Sequence, residues 1–276
     1  MALSSKYIQF TKATGTGVQT VTGVGFFGKG LLLWSTFQTA DGMTTSATQM
    51  LGMTDGILQS CRYIHHPGAE GTPTSAQSEQ TDYIAFKTTA TSGGAPTVEA
   101  SAIFGAFTAD GWTMNWDVND GSAAIMHAVV IGGDADVAFT QVKIDVSGGN
   151  SIDVTGVGFR PTAFIVMGGA ADEFGTGDYV NGSPWGSIHG FGFSNASQNV
   201  CGWTLGLGGG AAADNYRGQS STLVSSVRTA NLSGAGALME ARITGVSDDG
   251  YTITRDTGGL THQPVQHILC LKGVRF

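Results

Sequence analysis

Val21-Thr22-Gly23-Val24-Gly25-Phe26 returns letter for letter as Val154-Thr155-Gly156-Val157-Gly158-Phe159, 133 positions further along the chain. In a chain with 43 Gly, such an identity would be weak alone. It is the first of five markers that recur in the same order. Leu51-Gly52-Met53 corresponds to Phe191-Gly192-Phe193, and Cys61 to Cys201, both 140 positions apart. Asp110-Gly111-Trp112 corresponds to Asp249-Gly250-Tyr251, 139 apart. His127 opens an apolar run ending in Gly133, and His267 opens one ending in Gly273. This period is far longer than a solenoid unit of roughly 20–50 residues, so it reads as a domain duplication. The sequence places the boundary near residues 137–140, giving units at 1–137 and 138–276.

The spacing grows from 133 to 140 between the first two markers, so the second unit carries about seven extra residues there. They fall in a long loop at about 168–190. Insertions settle in surface loops, where function concentrates. Within this loop Asp178, Tyr179 and Trp185 are the candidate ligand- or partner-binding residues. Aromatic faces beside hydrogen-bonding groups suit contacts to sugars or proteins.

Outward from the repeat, short apolar runs alternate with Gly, Asp and Asn clusters, as in an all-β chain. Trp112, Met114 and Trp116 alternate with Thr113 and Asn115, the period of a half-buried strand. In the second unit Arg255 stands where Trp116 stands in the first, which implies either a less buried strand end or a paired guanidinium. Ile125–Ile131 and Val265–Leu271 are continuous runs, as expected of strands buried on both faces. Asn119-Asp120-Gly121 reads as a hairpin turn. Thr45–Cys61 and Ser220–Arg228 are the segments where a short helix would fit. The fold class expected is two tandem β-sandwich or jelly-roll-like domains related by internal duplication.

Composition narrows the function classes. Charged residues make up 12% of the chain, about half the usual share, and the net charge is −8. That argues against a nucleic-acid partner, which calls for basic patches. Three scattered cysteines make no disulfide framework. The N-terminal segment has no apolar core of a secretory leader, and no apolar run is long enough to insert in a membrane. Synthesis in a reducing cytoplasm follows.

The motifs with chemical associations fail their context tests. Gly23-Val24-Gly25-Phe26-Phe27-Gly28 fits GxGxxG, but a dinucleotide site needs a helix to follow. Here a Leu-rich strand follows, and Pro161 replaces the third Gly in the second unit. Asn115–Gly121 resembles a calcium loop but has Asp120 where Gly is required and Met126 in place of the final Glu. The histidines show no zinc spacing. His127 and His267 hold matched scaffold positions, which favours packing or hydrogen bonding. GxSxG, SxxK and HExxH are absent from the sequence. No catalytic residue, metal ligand or cofactor is expected, and the protein reads as non-enzymatic.

Asp110-Gly-Trp-Thr-Met-Asn-Trp-Asp-Val-Asn-Asp-Gly121, His127-Ala-Val-Val-Ile-Gly-Gly133 and Val154-Thr-Gly-Val-Gly-Phe-Arg-Pro-Thr-Ala-Phe-Ile-Val-Met-Gly168 resemble the β-rich tandem repeats of virion structural proteins of tailed bacteriophages, of the minor structural, tail-fibre or capsid-surface type. The resemblance covers most of both halves and leaves the long loops unmatched. It implies a virion component on the particle surface, as a capsid decoration, head fibre or compact tail part. Other virion proteins and copies of itself would be its partners. The alternative is a receptor-binding, lectin-like module recognising host-surface carbohydrate, which the inserted loop favours.

Overall fold

The computed structural model describes residues 3–42, 47–66, 76–89, 97–144, 150–168, 177–180, 187–195, 197–206, 215–231, 234–258 and 265–273. These residues form strands and connections, with no helix among them. The N-terminal half carries β1 (Leu3–Thr11), β2 (Gly17–Thr22), β3 (Gly28–Ser35), β4 (Ala47–Thr54), β5 (Gln59–His66), β6 (Ala76–Gln80), β7 (Ala85–Thr88), β8 (Val98–Thr108), β9 (Gly111–Val118) and β10 (Ile125–Gly133). The C-terminal half carries β11 (Asp136–Lys143), β12 (Ser151–Thr155), β13 (Ala163–Gly168), β14 (Gly177–Val180), β15 (Ser187–Ser194), β16 (Asn199–Gly206), β17 (Asn215–Ser220), β18 (Ser225–Asn231), β19 (Gly234–Ser247), β20 (Gly250–Gly258) and β21 (Val265–Lys272).

Every pairing is antiparallel, and the strands form four sheets. One has seven strands in the order β1-β10-β3-β4-β5-β6-β14, and one has six in the order β11-β21-β13-β15-β16-β17. Two four-stranded sheets run β2-β9-β8-β7 and β12-β20-β19-β18. With β14 set aside, the orders in the two halves correspond strand for strand. The segment expected to be a loop at 168–190 supplies β14, which pairs with β6 and so extends a sheet of the N-terminal half. The boundary set near residues 137–140 falls inside β11, which pairs with β21 along Asp136–Lys143.

Side chains of paired sheets meet in apolar cores. Leu31, Leu33 and Met50 of the seven-stranded sheet pack with Trp112, Met114 and Trp116 of β9. Phe164, Val166 and Ile268 of the six-stranded sheet pack with Ile243, Tyr251 and Ile253. A third core joins the halves: Leu32, Leu51, Met53 and Ile131 meet Phe139, Ile165, Met167, Leu269 and Leu271. Each fully buried aliphatic side chain contributes roughly 1.5–3 kcal/mol.

These cores explain the sequence patterns and correct some of them. The alternation Trp112, Met114, Trp116 points inward as expected. Arg255 is 1% exposed, so its strand end is not the less buried one. Val265–Leu271 is buried throughout, because β21 lies between two cores. Ile125–Ile131 is not: Met126, Ala128 and Val130 are buried while Ile125, His127 and Val129 are half-buried. The C-terminal half covers the outer face of β10 fully only near Ile131. Asn119-Asp120-Gly121 is not a hairpin turn, since β9 and β10 belong to different sheets. Its Gly121 adopts φ 73° and donates its N–H to Asn119 Oδ1. Thr45–Cys61 and Ser220–Arg228 contain strands rather than helices, as cross-strand packing overrides a weak helical pattern.

The six-letter repeat has a local cause. Gly23 and Gly25 donate their N–H groups to the Asp110 carboxylate at 3.0 and 2.5 Å, and Val24 donates to the Asp110 carbonyl at 3.0 Å. Gly156, Gly158 and Val157 repeat all three bonds on Asp249, at 3.1, 2.6 and 3.1 Å. Wrapping three successive N–H groups around one residue needs positive φ, and the four glycines have φ between 83° and 95°. The residue after each Asp must be Gly. A Cβ at Gly111 would collide with the Val21 carbonyl oxygen, and one at Gly250 with that of Val154. The loop that resembled a phosphate cradle thus holds an internal carboxylate. The backbone bonds of Gly23 and Gly25 hold the Asp110 carboxyl below its ordinary value. No helix among the described residues is long and apolar enough to cross a membrane.

Gly111→Ala and Gly250→Ala will each destabilise the protein by about 1–3 kcal/mol in urea denaturation, the usual cost of overpacking. Gly15→Ala, where a Cβ would meet nothing within 4 Å, will leave the midpoint unchanged within about 0.5 kcal/mol.

Candidate functional site

The loop candidates are only partly placed. Asp178 and Tyr179 lie on β14, opposite Ser78 and Gln77 of β6, but their side chains lie outside the described residues. Trp185 lies outside the described residues altogether. The structure therefore sets Asp178 and Tyr179 at the rim of the seven-stranded sheet.

Polar groups concentrate at two other places. The first is the Asn115–Gly121 loop that resembled a calcium site. Asp120 accepts from Lys12 at 2.9 Å and from Lys87 at 2.7 Å, and Lys87 also reaches Glu99 at 2.7 Å. The Lys12 side chain is fully buried, with its ammonium 5.0 Å above the Trp116 ring. Burial would raise the Asp120 carboxyl, but the bonds from Lys87 and Lys12 outweigh it and hold it well below the carboxylate range. Two ammonium groups thus take the oxygens a cation would need. Among the described residues no group of three or more His, Cys, Asp and Glu could hold a metal.

The second place is the junction of the two halves. Glu79 on β6 binds Arg62 on β5 at 2.7 Å and His267 on β21 at 2.5 Å, and all three residues are buried. Burial acts to raise the Glu79 carboxyl, while Arg62 and His267 hold it below its ordinary value. Sequence reasoning flagged His267 but missed Arg62 and Glu79. The strand registers show the available signal: Gly202 and Gln219 occupy the corresponding paired positions, so the charges exist in one half alone.

His127 and His267 show how the halves differ. Tyr7 stacks on His127 with centroids 6.0 Å apart and planes at 17°, and its hydroxyl lies 2.7 Å from Nδ1. Phe139 stacks on His267 at 6.0 Å and 22°. Phe139 lacks the hydroxyl, and His267 Nδ1 has no hydrogen-bond partner among the described residues. Trp34 packs against both rings, with its centroid 5.5 Å from His127 and 6.0 Å from Tyr7. The Phe139–His267 pair is buried between the halves, whereas Tyr7 is 52% exposed on the outer face of β1. Tyr7, Trp34 and His127 are thus the open counterpart of a packed face. They form the candidate functional surface.

A cleft of about 560 Å³ opens along the seam between the halves, lined by Phe27, Ile57, Phe107, Val137 and Phe159. Its polar groups serve the fold: Asp55 accepts from the N–H groups of Ile57, Leu58 and Phe139, and Lys29 donates to the Ala135 carbonyl. The three cysteines are buried, and burial pushes the Cys270 thiol up to about 12, which leaves it unreactive.

Comparison with known protein families, curated proteins and solved structures finds no match to this chain.

Glu79→Ala will cost about 3–5 kcal/mol, because it leaves buried Arg62 and His267 without their carboxylate. The folded-state carboxyl is depressed, so its contribution is present above the unfolded value near 4.5 and is lost as pH falls below it. The melting-temperature gap between wild type and Glu79→Gln will therefore narrow below that pH. Phe139→Tyr will be neutral or stabilising by about 1 kcal/mol in chemical denaturation, since its hydroxyl would reach His267 Nδ1.

Proposed function

We propose that the chain is a non-enzymatic structural protein of a bacteriophage particle, assembled on the particle surface as a capsid decoration, head fibre or compact tail component. In this reading residues 1–137 and 138–276 are two β-sandwich repeats produced by duplication. The corresponding strand orders support that, as do the Asp110 and Asp249 clamps.

The observation that carries the reading is where the carboxylates point. Asp110 and Asp249 bind backbone N–H groups, Asp120 binds two lysines, and Glu79 binds Arg62 and His267. These four carboxylates hold the scaffold together. A rigid repeated scaffold whose first strand, β1, carries a single charge suits assembly with other virion proteins and with copies of itself. The net charge of −8 opposes packing against nucleic acid.

A receptor-binding, lectin-like role is the second reading. It is favoured by β14, which sets Asp178 and Tyr179 at a sheet rim within the inserted segment that also contains Trp185.

Immunogold electron microscopy with antibody to this chain will label the surface of intact, purified particles. Particles that lack the chain, as judged by both labelling and peptide mass spectrometry, would sink the assignment. Glycan-array binding that is lost in Trp185→Ala would favour the second reading.

A further inference from the structure

The seven-stranded sheet ends at the short β14 on one side and at β1 on the other. At β6 the edge is capped by strand addition, with Gly177–Val180 pairing along Ala76–Glu79. At the other edge lies β1, nine residues long and exposed at Leu3, Ser5, Tyr7, Gln9 and Thr11. Its counterpart in the C-terminal half, β11, is protected. Phe139 N–H donates to Asp55 at 2.9 Å, and the Ala135 carbonyl just before the strand accepts from Lys29 at 2.9 Å. The remaining edge strands are short, charged or both: β2 has six residues, β7 four with Lys87, β12 five with Asp153, β14 four with Asp178, β17 six with Arg217 and β18 seven with Arg228. Long, exposed, uncharged edges template pairing with another chain unless something covers them.

We propose that β1 pairs antiparallel with β1 of a second copy of this chain, about a two-fold axis at Tyr7. The strand is complementary to itself. Its one charge is Lys6, and it contains no Pro or Gly. Full overlap of Leu3–Thr11 with its own reverse sets Tyr7 against Tyr7, Ser5 against Gln9 and Lys6 against Ile8, so no like charges oppose each other. A one-residue slip would set outer-face residues against core-face Ile8 and Phe10, which pack on the first core. The seam is also continuous with the interface already present between the halves. Trp34 and Val129, beside Tyr7 and His127 on the same sheet face, pack against the junction core. A pair of chains each carrying −8 meets best along such a strip, which holds no acidic residue and one lysine.

This deepens the self-assembly part of the proposed function and stands apart from its particle location. Particles lacking the chain would sink that reading and leave the pairing intact, whereas a monomer would do the reverse. Sedimentation equilibrium across the micromolar range tests it on the full chain. The wild type is expected to be a concentration-dependent dimer. Ser5→Lys with Gln9→Lys sets lysines directly opposite each other and is expected to weaken dimerisation at least tenfold. Ser5→Lys with Gln9→Glu sets opposite charges across the same axis and is expected to retain the dimer. Both positions are exposed, so matching thermal melts of the two double variants will show that the fold is unaffected. A monomeric wild type, or a dimer unchanged in the double-lysine variant, would overturn the proposal.

Discussion

The two central sheets carry apolar side chains on both faces, and everything else in the molecule answers to that constraint. β21 illustrates it: Ile268 and Cys270 face one core while Leu269 and Leu271 face another. A sheet of this kind cannot rest with one side in water, since each exposed Leu or Ile would forfeit a few kcal/mol of burial. The four-stranded sheets cover one face of each. The other faces of the seven- and six-stranded sheets cover each other through Leu32, Leu51, Met53, Ile165 and Met167. The halves are therefore joined by a dry core as well as by the chain.

Inside that junction lies a charged cluster that apolar burial alone would not select. Arg62, Glu79 and His267 lose their hydration, and their mutual bonds offset part of the loss. Their value is in fixing one arrangement, since any sliding of the sheets would break the Glu79–His267 hydrogen bond inside a dry core. The Asp110 and Asp249 clamps act likewise at the level of a single connection. Each ties the loop after one strand to the turn that starts another, and each demands glycine where the backbone bends to positive φ. Charge in this protein secures position.

The matched faces carry the functional argument. Tyr7 with His127, and Phe139 with His267, keep the same stacked geometry, yet one pair lies near solvent and the other is enclosed. What differs is the covering: strands of the other half lie over β21, while β1 and the start of β10 remain open. A fold that uses one such face internally has the means to use the other for assembly.

The sequence by itself determined the all-β character, the alternation of β9, the buried run of β21 and the five recurrent markers, because these depend on local periodicity and on glycines whose role is set by neighbouring backbone. Gly52 and Gly192 show this well: in both halves a Cβ would strike the carbonyl oxygen of the same crossing segment, at Ile84 and Val224. Only the tertiary structure decided that the inserted segment lends β14 to the other half, that β10 is covered on one face alone, and that Arg62, Glu79 and His267 meet. Those outcomes depend on how two sheets lie against each other, and residues 188 positions apart, as Glu79 and His267 are, leave no local pattern to mark their contact.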